Sequence, residues 1–363
     1  MSAHSAVVTV TQGGPLEARE VPTPTPTGNQ ILVRSEWTAS TPLDLHQADG
    51  HLLVKPPQVL GDGVAGTVVS VGPDVKHFAV GDKVFGFTWR NQSEKAHQEY
   101  VLGDENVLAK LPEGFSMEQA VTLPNNSVTA WHTLTFEFGF DLPWPKPEGY
   151  VPEDANEWIL VWGGSSSVGQ YMLQILKWYG YKKVIATASK AQHAKLERYG
   201  ATACFNYRQG DVAEDILKHT GEAGPKYIVD CIGSQSGSVQ PLSKIAKTGS
   251  KVAIMLPVIV KDAAQGVKPE YEMDVNKAAT WGEGVNAAGV RTHFYTDNKF
   301  LAENLQREIM PEALRSGIVE PNEYIVVEGK SMLGRAEKAL GMLRRKEVSG
   351  KRLVWRVSDD AGA

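Results

Sequence analysis

Two cysteines in 363 residues, Cys204 and Cys231, each set in an apolar segment, leave no material for a disulfide framework or a cysteine-built metal site. An excess of positive charge is missing too, since 37 Lys and Arg stand against 42 Asp and Glu for a formal net charge of -5. That balance carries no electrostatic footprint for nucleic acid or an anionic membrane. No run approaches the roughly 20 apolar residues of a membrane-spanning helix. The opening MSAHSAVVTV lacks the basic-then-apolar pattern of a secretion signal. With 42% apolar and 22% charged residues, the composition is that of a soluble globular protein with room for two domains. The class left by these absences is a cytoplasmic enzyme acting on a small molecule, with no nucleic acid and no membrane as partner.

Residues 1–124 carry short β-branched runs separated by Gly, Pro and Asp: Ala6–Thr11, Ile31–Thr38, Val64–Val71, Lys83–Phe87 and Tyr100–Leu102. Such punctuation predicts a mostly antiparallel β unit. From Trp158 onward, short apolar runs alternate with stretches of helical period, which predicts βαβ units on a parallel sheet. The expected strands are Trp158–Trp162, Lys183–Thr187, Ala203–Asn206, Lys226–Asp230, Ser250–Leu256 and Gly289–Phe294. They number as many as a complete doubly wound dinucleotide-binding sheet needs. Val168, Met172, Ile175 and Tyr179 share one face of the first intervening helix.

After Lys299 the pattern gives a helix (Phe300–Ser316), a strand (Tyr324–Glu328), a helix (Ser331–Arg345) and a strand (Arg352–Val357). These elements are expected to return to the first unit. The fold class is therefore α/β: a parallel sheet domain over 126–299 inserted in a β-rich domain of 1–125 and 300–363, with a cleft between them. Asp141–Pro152 and Val258–Ala288 read as surface loops.

The first expected parallel strand runs into Gly163-Gly164-Ser165-Ser166-Ser167-Val168-Gly169 and then a helix. Small residues let backbone approach a pyrophosphate, and the free N–H groups and positive dipole of the helix end attract its charge. Against G-x-G-x-x-G, Gly164 and Gly169 fit and Ser166 stands at the middle glycine. The same residues would serve a plain strand-to-helix turn, but the strands that follow favour the dinucleotide reading. An NAD site carries Asp or Glu about 20 residues further on, for the ribose 2′-OH. Here the next strand ends Thr187-Ala188-Ser189-Lys190, where a cation and a hydroxyl suit a 2′-phosphate, so NADP(H) is the expected cofactor. The plainer reading of Lys190 is a solvated lysine opening the next helix.

Asp62-Gly63-Val64-Ala65-Gly66-Thr67-Val68, then Val71-Gly72 and Gly81-Asp82-Lys83-Val84, resembles the catalytic-domain signature of medium-chain dehydrogenase/reductases. Lys190–Arg208, with Gly200-Ala201 and Asn206-Tyr207-Arg208, resembles the NADPH-binding region of their quinone oxidoreductase branch. The likeness extends to Gly350-Lys351-Arg352-Leu353-Val354 and is similar in detail to fungal zinc-free members, including trans-acting enoyl reductases. It implies a GroES-like catalytic domain around a Rossmann domain. In the zinc-dependent members the segment matching Thr41-Pro42-Leu43-Asp44-Leu45-His46 begins with a zinc-binding cysteine, and a Gly-His-Glu stands where this chain has Gly61-Asp62-Gly63. Thr88–Gln98, where a four-cysteine zinc lobe would follow, contains no cysteine. Zinc needs several thiolate or imidazole ligands converging at about 2.0–2.3 Å, so no metal is expected. An improvised set of His46, Asp62 and His132 is the one exception considered.

Without a Lewis acid, reduction of a simple carbonyl loses its strongest device. Hydride addition to an activated C=C is easier, because the substrate's own carbonyl delocalises the developing charge. The expected substrate is an enone, a quinone or an enoyl thioester. The alternatives are a carbonyl or alcohol dehydrogenase that works without zinc, and a cofactor-binding protein with little catalysis.

The resemblance further implies that Thr41 and Asp44 line the nicotinamide cleft, that Thr129 contacts the cofactor, and that Tyr207 packs near the adenosine phosphate. It also implies that Lys351 returns toward the cofactor. Thr129 reads equally as a helix residue bonding its own backbone, Tyr207 as strand-end packing and Lys351 as a solvated lysine. Gly233, Leu256 and Pro257 follow the fourth and fifth strands, where ligand-facing loops of an open sheet sit. His46 is the titratable candidate for proton relay, against a surface histidine. Trp131, Trp281 and Phe294 are candidates to shape an apolar pocket or to be core. Family members often pair through the sixth strand, and the Val258–Ala288 insert would block that edge, so monomer and homodimer both stay open.

Overall fold

A computed structural model describes residues 2–264 and 266–358 of the chain. It divides into two compact units, one of Met1–Val128, Ala263–Pro269 and Thr296–Ala363, the other of Thr129–Asp262 and Glu270–Tyr295.

In the first unit the strands are β1 (Ala3–Thr9), β2 (Glu17–Pro22), β3 (Gln30–Ser40), β4 (Gln58–Val59), β5 (Gly63–Val71), β6 (Lys83–Phe87), β7 (Tyr100–Asp104) and β8 (Leu108–Lys110). Strand β3 organises them, because its 11 residues pair antiparallel with β5 and β7. Successive side chains of β3 and β5 point to opposite faces, and one face puts Ile31, Val33, Val64 and Val68 into one apolar core with Val84, Val101 and Leu108. The signature Asp62–Val68 has a packing reason at Gly66, where a Cβ would lie 2.0 Å from the Arg34 carbonyl oxygen across the ladder.

The second unit carries β9 (Ile159–Trp162), β10 (Val184–Thr187), β11 (Ala203–Phe205), β12 (Tyr227–Asp230), β13 (Lys251–Met255), β14 (Val258–Lys261), β15 (Glu270–Glu272) and β16 (Asn286–Val290). Six of these form a sheet in the order β11-β10-β9-β12-β13-β16, every neighbouring pair parallel. This is the Rossmann order, and the four residues of β9, β10 and β12 are all buried, as strands covered on both faces require. The helix Ser167–Tyr179 packs on it through Met172, Ile175 and Tyr179.

Back in the first unit, β17 (Tyr324–Val326) pairs parallel with β18 (Arg352–Arg356), and β18 pairs antiparallel with β3. The C-terminal strands thus complete a sheet ordered β17-β18-β3-β5-β6-β8.

Two expectations need correction. The sixth parallel strand is Asn286–Val290, not Gly289–Phe294, and Thr292–Asp297 is a short 3-10 helix. Its register against β13 runs from Lys251 with Asn286 to Met255 with Val290, so pairing with the sheet outweighs the β-branched and aromatic character of the residues that follow. The stretch Val258–Ala288 is not a bare loop: β14 and β15 pair antiparallel and a short helix, Val275–Ala278, follows. We expect Gly66→Ala to destabilise the protein by about 1–3 kcal/mol or more in urea unfolding. Gly282→Ala, with only Val285 at 3.9 Å from the added carbon, should stay close to wild type.

Candidate active site

The turn after β9 is built by close packing. Gly163 has φ +77°, and a Cβ on Gly164 would lie 2.9 Å from Ala186 Cβ. One on Gly169 would lie 2.7 Å from the Gly163 carbonyl oxygen, so the helix starts directly against the strand end. Gly163, Gly164 and Gly169 are buried, whereas Ser165, Ser166, Ser167 and Val168 are partly open. Ser166 caps the helix, its Oγ accepting from Gly169 N at 3.1 Å. The N–H groups of Ser167 and Val168 precede any possible intrahelical acceptor and are available to an anion. This cradle fits a dinucleotide pyrophosphate.

Beyond β10, Ser189 precedes the single 3-10 turn Lys190–Gln192, and Lys190 is exposed. Tyr207 is 42% exposed, with the Arg208 guanidinium 5.4 Å from its ring centre, so strand-end packing does not describe it. Beyond β12, buried Asp230 accepts from Ile232 N at 2.9 Å, Gly233 N at 3.1 Å and Ser238 Oγ at 2.6 Å. Burial pushes its carboxyl up to about 6. Gly233 has φ +64° and leaves no room for a Cβ, which would lie 2.5 Å from the Met255 carbonyl oxygen. The loop Met255–Pro257 is thereby held beside Gly233, with Leu256 partly open and Pro257 buried. Asp230 was not singled out from sequence, although a lone Asp closing an apolar strand was the available signal. Thr129 Oγ1 sits 2.9 Å from Thr292 Oγ1, so its hydroxyl has a side-chain partner rather than only its own helix.

In the other unit, Thr41 caps the helix Pro42–Gly50 with extended backbone. Asp44 is buried and holds two backbone groups, Thr41 N at 2.8 Å and Gly61 N at 3.1 Å. Asp62, the next residue after Gly61, is buried as well and accepts from Asn125 Nδ2 at 2.5 Å. Burial pushes both carboxyls up to about 6, and for Asp62 the charge of Asp44 adds to the rise. Lys95, 7% exposed, is lowered by burial against the pull of Asp62, Asp44 and Glu94. His97 packs edge-on to Trp355 with ring centres 4.6 Å apart, its Nε2 3.9 Å from Asp44 Oδ2. Burial and the Lys95 charge push this imidazole down to about 3, so it is neutral and the approach is no ion pair.

His46 is buried at 9% exposure on the helix that Thr41 caps, which removes the surface reading. Lys351 lies at the surface with Nζ 3.3 Å from Glu323. Trp131 is core, edge-on to Trp144 and Tyr179, and Trp281 donates to the Val275 carbonyl at 3.1 Å. Phe294 is 51% exposed. Cys204 and Cys231 are free thiols. Thr41 and Asp62 occupy the two positions compared above with zinc ligands. Among the described residues, no three His, Cys, Asp or Glu side chains form a metal-holding group, and His46, Asp62 and His132 form none.

Residues 27–132 match the alcohol dehydrogenase GroES-like domain, and residues 167–269 match the zinc-binding dehydrogenase domain. A dehydrogenase of Monascus ruber, pigH, is 36% identical over 93% of this chain and 95% of its own length. A trans-enoyl reductase of Aspergillus japonicus, himH, is 30% identical over 91% and 90%. Among solved structures, a quinone oxidoreductase of Pseudomonas syringae superposes with a TM-score of 0.73 at 22% identity, covering 97% of this chain and 99% of that one. The class defined by this fold is a nicotinamide-dependent oxidoreductase. The chain belongs to the medium-chain dehydrogenase/reductase family.

The paired carboxyls generate a pH prediction. An Asp held near 6 in the folded state and near its ordinary 3.8 unfolded keeps a proton that the unfolded chain releases. Stability from that proton is present at low pH and lost as pH rises from about 4 through 6. Asp62→Asn should remove its own share of this slope and leave that of Asp44, and at pH 8 it should be more stable than wild type by the order of 1–3 kcal/mol. Urea melts across pH 4–8 measure both; a variant less stable at pH 8 would contradict the assignment.

Proposed function

We propose that the protein is an NADPH-dependent, zinc-independent reductase that adds hydride to a C=C bond activated by a carbonyl, or to a quinone. The observation that carries the reading is the pyrophosphate cradle Gly163–Gly169 followed, at the end of β10, by Ser189 and Lys190 instead of a carboxylate. The relatives described as trans-enoyl reductases support the substrate class. The side chains at Thr41 and Asp62 support catalysis without zinc, since a hydroxyl and a carboxylate leave such an ion without its thiolate and imidazole donors.

In this reading, bound NADPH supplies hydride to the substrate's β-carbon. The backbone N–H groups of Ser167 and Val168 would hold the pyrophosphate. Ser189 and Lys190 bind the 2′-phosphate, and Tyr207 with Arg208 covers the adenosine. Gly233, Leu256, Pro257 and Thr129 orient the nicotinamide end and exclude water. Thr41, Asp44 and His46 belong to the substrate side, with Lys351 returning from the C-terminal strand region. The catalytic domain comprises 1–125 with 300–363, and the NADP(H)-binding domain 126–299. The enzyme works in the cytoplasm.

Two measurements test this. NADPH oxidation should be seen with an enone, an enoyl thioester or a quinone, and should survive exhaustive chelation. Turnover restricted to simple alcohols and aldehydes, or cofactor binding without turnover, would contradict it. Lys190→Ala should weaken NADPH binding by about 1.5–3 kcal/mol, with NADH scarcely affected; equal losses for the two cofactors would remove the 2′-phosphate assignment.

A further inference from the structure

We propose that Asp230 is a positioning residue for the nicotinamide half of the dinucleotide, acting through Ile232 and Gly233, whose backbone it holds beyond the end of β12. The inference deepens the reductase reading and rests on its cofactor.

The sheet order decides where such a residue matters. From β9 the chain moves outward through β10 to β11, then returns to the other side of β9 with β12 and continues through β13 to β16. The order reverses between β9 and β12, and in open parallel sheets a dinucleotide lies outside the carboxyl ends of the strands at that point. The two strands pair from Ile159 with Tyr227 to Trp162 with Asp230, and Cys231 N donates to the Trp162 carbonyl at 2.9 Å. They end level, so the turn that begins at Gly163 stands beside the one that begins at Cys231.

These turns touch. A Cβ on Gly163 would lie 2.6 Å from both Cγ1 and Cδ1 of Ile232 and 3.6 Å from Cβ of Cys231. Ile232 thus lies against the first glycine of the pyrophosphate cradle while 45% exposed. An exposed isoleucine ordinarily needs no explanation. This one has its backbone fixed by a carboxylate that is itself fully buried, since Asp230 Oδ1 accepts from Ile232 N at 2.9 Å and from Gly233 N at 3.1 Å. Asp230 Oδ2 accepts from Ser238 Oγ at 2.6 Å, and Ser238 Oγ accepts from Ser234 N at 2.9 Å.

Gly233 carries the anchoring to the next strand. Its carbonyl accepts from Ile259 N at 2.6 Å, and a Cβ on it would lie 2.5 Å from the Met255 carbonyl oxygen and 3.0 Å from that of Pro257. One buried side chain therefore ties together three strand ends: Gly163 after β9, Ile232 and Gly233 after β12, and Met255–Pro257 after β13. In the reductase reading Lys190, beyond β10, marks the adenosine end, and β10 and β12 lie on opposite sides of β9. The half of the cofactor that runs from the cradle toward β12 and β13 is then the nicotinamide and its ribose. That half carries no charge in the reduced cofactor, and an apolar side chain beside backbone amides suits it.

The experiment is a calorimetric titration with two ligands, NADPH and 2′-phosphoadenosine 5′-diphosphate. The second keeps the 2′-phosphate and the pyrophosphate but lacks the nicotinamide and its ribose. Asp230→Ala takes the acceptor from Ile232 N and Gly233 N. Asp230→Asn keeps it, because its carbonyl serves both N–H groups while its amide donates to Ser238 Oγ, whose proton turns to the Ser234 carbonyl at 3.0 Å. Ile232→Ala leaves the buried network untouched and carries the comparison if Asp230→Ala does not fold. Asp230→Ala and Ile232→Ala should each weaken NADPH about tenfold or more and the fragment less than about twofold, with Asp230→Asn within about threefold of wild type for both. A general loss of folded protein cannot produce that split, since it lowers binding of both ligands alike. Equal losses for the two ligands, no loss in either variant, or a loss in Asp230→Asn as large as in Asp230→Ala overturns the positioning role. A wild type that binds neither ligand overturns the cofactor reading, and the positioning role with it.

Discussion

The approach of the helix Ser167–Tyr179 to the end of β9 is the contact on which the nucleotide-binding unit depends. Side chains at Gly164 or Gly169 would collide with Ala186 or with the Gly163 carbonyl, so the helix comes close only because three glycines flank four short residues. That closeness leaves Ser165–Val168, at the start of the helix, partly open at the end of a strand of the six-stranded parallel sheet. An anion there gains charge-assisted hydrogen bonds without reorganising the backbone. Asp230 does a comparable job one strand over, where its carboxyl fixes Ile232, Gly233 and Ser238 and so shapes the turn leading away from β12.

The other unit is governed by desolvation. Asp44 spends both its oxygens on backbone N–H groups, tying the start of one helix to the turn before β5. Asp62 follows immediately, and Lys95 is held close enough to act on both. Two carboxylates in such a place resist full ionisation, and an ammonium beside them resists losing its proton less than it would in water. With hydride delivered by the cofactor in the proposed reductase, the protein's own task is to orient the reactants and exclude water.

Much of this was legible in the sequence because the governing signals are local. The glycine-serine turn, the apolar runs of β9, β10 and β12, and the absence of cysteine around Thr88–Gln98 depend on neighbouring residues alone. The sixth strand was not legible, because Asn286-Ala287-Ala288-Gly289 has little β preference and becomes a strand only by pairing with β13. The β14–β15 hairpin escaped for the same reason, its strands being too short for a period to show. Lys95, His97 and His46 are ordinary polar residues in sequence; their burial arises where segments far apart in the chain, including Trp355, close over them.

The central claim is that this turn and the cation after β10 hold a phosphorylated nicotinamide dinucleotide. A crystal structure of the NADP+ complex tests it most directly. The pyrophosphate should lie against the backbone of Ser165–Val168, with the 2′-phosphate within hydrogen-bonding reach of Lys190. A cofactor bound away from that turn, or a 2′-phosphate facing solvent with Lys190 turned away, would contradict it.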